Sequence, residues 1–430
     1  MTTFAPNVIA DLNIDLSQEQ WIALLINPWV ELAIILLVSI VAMSDFYRRF
    51  LTSINSAPRL DEKKISETLP TVSVIIPAYN EAINIADCMT AVLANELPDP
   101  SVLQLIVADD DSTDETLKLA QKVADSDERA VVISAGARPS DEVWRGKNWA
   151  CDRAVAKATG EYLLFIDADV RLSTNAIAQA LANAKSYKTD LLSCAPLIVC
   201  GCFSEWIVQP LMSNLIAVGF DFEGVNDPQK SDTALAAGPF MLFRHEAYHQ
   251  IGGHRAVADN PVEDLALASL IKRSGLKLRY VLGLQAATVR MYRSFSDLWE
   301  GWTKNYHLGS GRNIALTMIS ALAVLLIFTM PWAGLAASLV GILQGAAVLW
   351  VLWIAIAAVG LQVSLRYAAA LLVGQPLRYW WLGWLGGLLV SAIAWASIIK
   401  TETGWGWTWR GRSLADNTAG GEALQTPSNL

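Results

Sequence analysis

Asp167 and Asp169 are separated by one alanine and follow the apolar run Tyr162-Leu163-Leu164-Phe165-Ile166. Two carboxylates at that spacing could share a hard divalent cation. Mg2+ or Mn2+ prefers oxygen ligands and is commonly held by one or two carboxylates together with substrate phosphates, so the pair suits a metal that carries a diphosphate. A solvated strand end gives the same pattern, and the companions of the pair must decide. Asp109 and Asp110 stand in Ala108-Asp109-Asp110-Asp111-Ser112-Thr113-Asp114-Glu115-Thr116, where carboxylates can accept from ribose hydroxyls and base N–H groups. Ser112 or Asp114 can instead cap the following helix, but capping requires neither Asp109 nor Asp110. Pro77-Ala78-Tyr79-Asn80-Glu81 closes another apolar run. Lys147, in Arg145-Gly146-Lys147-Asn148, is placed either to offset diphosphate charge or simply to be solvated. Glu263-Asp264 opens a helix after Pro261, where acids complement the helix dipole; the other role for Asp264 is general base.

These residues need strands to carry them. Residues 71 to 290 alternate strand-like segments (Val72 to Ile76, Leu103 to Ala108, Val131 to Ser134, Tyr162 to Ile166, Leu191 to Val199) with helix-like ones (Ile83 to Leu97, Asp114 to Val123, Trp149 to Ala158, 175 to 187). That order predicts an α/β fold built on a doubly wound, mostly parallel sheet, with the candidate residues converging at the carboxyl ends of its strands.

The rest of the chain calls for a membrane. Over 430 residues the hydrophobic fraction is 53% and mean hydropathy is +0.35, too high for a purely soluble protein. The net charge of −9, with no long basic run, argues against a nucleic-acid partner. Five cysteines without Cys-x-x-Cys spacing indicate neither a disulfide framework nor a zinc site. An external segment over 1–20 is expected to precede a transmembrane anchor over 21–43. Arg48, Arg49, Arg59, Lys63 and Lys64 follow it and place residues 44–290, the catalytic domain, in the cytoplasm. Phe203 to Phe220 reads as an amphipathic stretch on the membrane surface, and 291–312, with Phe295, Trp299, Trp302 and Tyr306 at helical spacing, as an interfacial helix. Apolar runs at 314–337, 340–373 and 380–399 make a membrane domain over 313–400. Twelve of the seventeen tryptophans lie at or beyond Trp299, as interfacial belts require. Residues 401–430 read as a Trp/Arg tail followed by a polar, disordered end.

In this order and approximate spacing, Pro77 to Glu81, Asp109-Asp110, Gly146-Lys147, Asp167-Ala168-Asp169, Gly252-Gly253 and Glu263-Asp264 resemble a membrane-anchored family-2 glycosyltransferase of the GT-A fold over about residues 70 to 275. The resemblance implies that Pro77, Ala78, Tyr79, Glu81, Asp109, Asp110, Lys147 and Asp167 bind a nucleotide-sugar. It further implies that Asp167 and Asp169 hold Mg2+ or Mn2+, and that Asp264 is the catalytic base of an inverting transfer. The Gln-x-x-Arg-Trp motif of the processive synthases is missing from 296–305, which points away from chain elongation. The chain is more similar to transferases that glycosylate a lipid once: the hopanoid-associated, ceramide and above all carotenoid groups. Glu263, Trp299, Trp302, Arg410 and Arg412 are then expected at the acceptor or membrane interface. If the tail arginines fold back to the site, an even number of spans must follow residue 312. A processive synthase and a non-enzymatic scaffold or transporter are the rival readings.

Overall fold

The structure is a computed structural model that describes residues 27–60 and 68–414. The expected external segment, the first residues of the expected anchor and the end of the tail therefore lie outside the described residues. In chain order, helix α1 (Pro28–Ser56) leads into β1 (Val72–Ala78), α2 (Ile85–Leu93), β2 (Leu103–Asp109), α3 (Thr116–Ala124), β3 (Ala130–Ser134), α4 (Gly146–Val155), β4 (Tyr162–Phe165), β5 (Val170–Leu172) and α5 (Ala176–Tyr187). β6 (Leu191–Ala195), β7 (Leu197–Ile198), α6 (Phe203–Gly219), α7 (Phe222–Asn226), β8 (Met241–Arg244), α8 (His245–Gln250), α9 (Glu263–Arg273), β9 (Leu278–Leu282) and β10 (Ala287–Val289) complete the α/β domain.

Seven strands form one sheet in the order β3-β2-β1-β4-β8-β6-β9. β1 runs parallel to β2 and β4, while β8 alone is antiparallel to its neighbours. The central strands are apolar almost without interruption because both faces are covered. Residues of alternate parity serve opposite cores: Ile75, Ile106, Leu163 and Phe165 pack with Phe50, Ile54 and Trp149 on one face, and Val74, Ile76, Leu105 and Leu164 with Met89 and Leu181 on the other. β5, β10 and β7 make a small second sheet. The single strand expected over Leu191 to Val199 is thus two strands in two sheets, the chain leaving the main sheet between Ala195 and Leu197.

After the sheet come α10 (Phe295–Gly309), α11 (Ile314–Leu343), α12 (Leu349–Val373) and α13 (Gly383–Thr403), then a two-stranded hairpin of β11 (Thr408–Trp409) and β12 (Arg412–Ser413). Four segments of the described chain are long and apolar enough to cross a membrane: Pro28–Ser56, Ile314–Leu343, Leu349–Val373 and Trp380–Thr403. The anchor helix therefore continues past residue 43, and the run 340–373 is divided by a break at 344–348.

Within α11 the turn Leu325–Thr329 is π-helical. Pro331 has no N–H for the carbonyl of Ile327, and Gln362 Nε2 of α12 supplies the donor instead.

Two aromatic-rich segments depart from the sequence reading. α6, expected on a membrane surface, has ten buried residues and packs against α1, α10 and α13. Trp302 of α10, expected at the interface, is buried and donates through Nε1 to Gln209 Oε1 at 2.6 Å. Trp299 packs half-buried on the same core, so this stripe faces protein, and only Phe295 of the four aromatics is substantially exposed. Helical spacing records which residues share a face but not what covers it.

Candidate active site

The first two strands end side by side. Ala78 is in register with Asp109, and the turns beyond them are stitched together. The Asn80 N–H donates to Ser112 Oγ at 3.0 Å, Thr113 N–H to Asn80 Oδ1 at 2.9 Å, and Ala82 N–H to Asp114 Oδ2 at 3.1 Å. Asn80 and Asp111 both take positive φ, as short polar side chains do most easily. Asp114 thereby joins the two turns and also receives Thr116 N–H at 3.0 Å, the capping role that the sequence left open.

Asp109 Oδ2 accepts from Ser112 N–H, while its buried Oδ1 has no partner among the described residues. Asp110 is enclosed by cations. Arg138 Nη2 lies 2.8 and 2.6 Å from its two oxygens, Arg412 Nη1 bonds its Oδ2, and Arg412 Nη2 donates to its carbonyl at 2.8 Å. The Arg412 guanidinium is 3.5 Å from the centroid of the Tyr79 ring, a cation–π contact over the face where a base could stack. Arg410 Nη1 bonds Glu81 Oε1 and the Tyr79 carbonyl. The tail is thus on the strand ends, a placement that the sequence reading held only as a condition. Glu300 of α10 holds it there through Thr408 Oγ1 (2.6 Å) and Arg410 N–H (3.2 Å).

α4 begins against this cluster. A Cβ on Gly146 would lie 2.2 Å from Asp110 Oδ2, so a side chain here would displace the Asp110, Arg138 and Arg412 cluster against which the helix starts. The next residue, Lys147, places Nζ 2.7 Å from Asp167 Oδ1 and 2.6 Å from Glu263 Oε1. Burial opposes its charge, but these two carboxylates outweigh that and hold its pKa well above the usual lysine value. Glu263 answers in kind: burial favours its neutral form, yet Lys147 and then Lys304 keep its pKa below the usual value. Glu263 therefore faces Lys147 within the crevice.

Beyond β4, Asp169 has a buried Oδ1 without a partner among the described residues. Burial, then the charges of Asp167 and Glu81, push its pKa to about 8. Such a carboxylate wants a cation. The unpartnered Asp169 Oδ1, with Asp167 two residues before it, suits a hard divalent ion, whose remaining ligands would be phosphate oxygens and water. Asp264 sits across the crevice at the start of α9. Its Oδ2 accepts from Gly238 N–H at 3.0 Å and its Oδ1 from Leu265 N–H at 2.8 Å. Burial and then Glu263 raise its pKa to about 6, the range of a working base near neutral pH.

Pro77, Ala78, Tyr79, Glu81, Asp109, Asp110, Lys147, Asp167, Asp169, Glu263, Asp264, Arg410 and Arg412 are thus brought to one crevice, while Trp299 and Trp302 belong to the helix behind it. Sequence reasoning missed Arg138, Glu300 and Lys304. Lys304 Nζ lies 4.7 Å from the Trp409 ring centroid, and burial lowers its pKa. It occurs one turn after Glu300 on α10, so a charged pair in an otherwise aromatic helix was the available signal.

A mostly parallel sheet with a crevice of acids and cations at its strand ends is the arrangement in which open α/β domains bind their ligands. Residues 73–252 match glycosyl transferase family 2, and the chain carries a domain of that family. It is similar to the 4,4'-diaponeurosporenoate glycosyltransferase of Staphylococcus aureus strain USA300, 28% identical over 261 residues, covering 60% of this chain and 66% of that protein. The corresponding protein of strain MRSA252 is 29% identical over 278 residues, covering 64% and 70%. The chain therefore spans just under two thirds of the first of these relatives. Among solved structures, the mannosyltransferase PcManGT from Pyrobaculum calidifontis, in complex with GDP-Man and Mn2+, aligns over 86% of this chain and 98% of its own at 19% identity, with a TM-score of 0.48.

Proposed function

We propose that this protein transfers a single sugar from a nucleotide-sugar to a hydroxyl of a membrane lipid, with inversion at the anomeric carbon, and that the acceptor is a polyisoprenoid such as a carotenoid. The observation that carries the reading is the crevice itself, where Asp264 faces the Lys147 cluster beside Asp167 and Asp169. The apolar helices packed against the domain and the similarity to a protein named for acting on diaponeurosporenoate support the acceptor class.

A single displacement requires a base on the acceptor and positive charge on the leaving diphosphate. Asp264, its oxygens oriented by the Gly238 and Leu265 N–H groups, takes the acceptor proton as the hydroxyl oxygen attacks the anomeric carbon and the bond to the diphosphate breaks. Asp109, Asp110 and the Tyr79 face receive the nucleoside. Asp167 and Asp169 would hold Mg2+ or Mn2+, which offsets charge developing on the diphosphate. Lys147 adds a fixed cation, and Arg410 and Arg412 are within the same crevice to exchange their carboxylate partners for phosphate oxygens. The absence of Gln-x-x-Arg-Trp favours one transfer per acceptor.

The test incubates purified full-length protein with a panel of uridine- and guanosine-diphosphate sugars and a polyisoprenoid alcohol in mixed micelles, and reads products by mass spectrometry. A glycolipid carrying one sugar of inverted configuration is expected. A polymer, or a lipid product with retained configuration, would overturn the reading.

A further inference from the structure

The described chain has a second cleft, on the side of α6 that faces the apolar helices. Its walls include Trp206 and Leu211 of α6, Phe328 and Trp332 of α11, Arg366 of α12, and Tyr379 ahead of α13. The other side of α6 belongs to the catalytic domain: Gln209 bonds Trp302 and lies 3.7 Å from Met291 Sδ.

Arg366 is anomalous here. A guanidinium on an apolar, membrane-length helix is expected to face a partner. Its Nη2 donates at 3.4 Å to the Trp206 carbonyl, which Pro210, four residues on, leaves without its helical donor. Its Nε and Nη1 are buried and have no partner among the described residues. The acid on the facing helix, Glu205, is committed through Oε2 to Arg290 at 3.3 Å and to the N–H groups of Gly201 and Cys202, and its buried Oε1 has no partner among the described residues, Arg366 included. Arg378 brings a second guanidinium, 5.4 Å from the Trp206 ring centroid. Among the described residues neither Arg366 nor Arg378 has an ion pair. Two cations therefore meet Trp206, Arg366 at its carbonyl and Arg378 over its ring, beside an aromatic, apolar cleft, and no ion pair among the described residues balances them.

We infer that this cleft binds an anionic membrane lipid, its phosphate oxyanion held by Arg366 and Arg378 and a hydrocarbon chain laid against Phe328, Trp332 and Trp380. A basic pocket between apolar helices is the arrangement that selects anionic headgroups. Charge makes the choice of occupant. A zwitterionic lipid brings its own cation along with its phosphate and so leaves the two guanidiniums without net compensation, a neutral lipid offers no oxyanion, and a soluble anion would leave the aromatic walls unfilled. The inference rests on these helices lying in a bilayer. It does not depend on glycosyl transfer, and the lipid need not be the acceptor.

Native mass spectrometry of the full-length protein, delipidated and titrated with phosphatidylglycerol or phosphatidylcholine, is the test. Phosphatidylglycerol is expected to bind at least about tenfold more tightly, and Arg366→Gln to remove that preference while Arg366→Lys retains part of it. Equal binding of the two lipids, an unchanged preference in Arg366→Gln, or displacement by inorganic phosphate alone would overturn the assignment. Should Arg366→Gln fail to fold, a photoreactive phosphatidylglycerol bound to the wild-type protein decides. Cross-links are expected in peptides spanning 203–219 or 360–383, and cross-links confined elsewhere would overturn the site. Because neither readout needs turnover, failure here and failure of the proposed reaction are separable.

Discussion

In the proposed transfer Asp264 is the base, and its surroundings set its working range. Burial and the neighbouring Glu263 raise its pKa to about 6, so the carboxylate is predominantly ionised at neutral pH and becomes protonated as pH falls through that value. A base acts only when deprotonated. Turnover at saturating substrate is therefore expected to fall on the acid side of about pH 6, and a profile flat from pH 5 to 8 would remove Asp264 from the base role. Asp264→Asn should lower turnover by about 10² to 10⁴-fold with donor affinity, measured by calorimetry, nearly unchanged. Asp169 makes a different demand. Its raised pKa and unpartnered Oδ1 describe a carboxylate short of positive charge, so donor binding should strengthen on adding Mg2+ or Mn2+, and Asp169→Asn should abolish that increment. Donor affinity indifferent to chelator would sink the metal role.

The acids at the ends of β1, β2 and β4 were legible in the sequence because each group follows an apolar run, and a strand covered on both faces has to end in the polar groups that bind, while Glu263 and Asp264 were marked only by opening a helix after Pro261. Arg138 and Lys304 were not. A lone cation in a loop has no local signature, the i,i+4 pair of Glu300 and Lys304 says only that they share a helix face, and the partners Asp110 and Glu263 are remote in the chain.

At the scale of elements, the hairpin of β11 and β12 is the least expected feature of the site. It has only two bridging residue pairs of its own, and isolated hairpins of that size are marginal in water. What holds it is α10: Glu300 receives Thr408 and the Arg410 N–H, and Lys304 lies under Trp409. Glu300→Ala should therefore free the tail without touching the crevice acids. We expect trypsin to cut after Arg410 or Arg412 several-fold faster in this variant, and its donor KM to rise roughly tenfold, the value of a lost charge-assisted contact. Unchanged cleavage would mean that the hairpin is held by other contacts. The first four strands of the domain and the helices between them followed from hydrophobic pattern to within a few residues, while the short strands Val170–Leu172, Met241–Arg244, Leu278–Leu282 and Ala287–Val289 did not. The covering of α6 and of the α10 aromatics did not, because an apolar face looks the same whether bilayer or protein lies against it.

For the whole molecule, the question is how a tail that follows three apolar helices can return to the site. The directions of those helices answer it. α11 runs opposite to α1, with Leu326 beside Ser39 and Gly341 against Trp29. α12 runs with α1: Val351 packs near Leu36, the Ser364 carbonyl receives Tyr47 Oη, and the Leu372 carbonyl receives Arg59. α13 starts level with the middle of α11, where Thr329 Oγ1 donates to the Trp384 carbonyl. It ends beside the start of α11, where Glu402 meets Arg312 and His307. The stretch from Arg312 to Thr329 is only about 25 Å of helix at about 1.5 Å per residue, so α13 traverses the near half of α11 and comes back. Hydropathy could count this segment but could not give its direction. On the topology proposed here α11 and α12 cross and α13 does not, which returns the tail to the side of the α/β domain, and the basic residues after α1 are expected to hold that side in the cytoplasm. A reporter fused after residue 414 is therefore expected to be active only in its cytosolic form. A cysteine introduced near residue 10 should react with an impermeant thiol reagent in intact cells, and one near residue 130 should not. An extracytoplasmic reporter would require α13 to cross, and would break the Arg410 and Arg412 contacts on which the closed crevice depends.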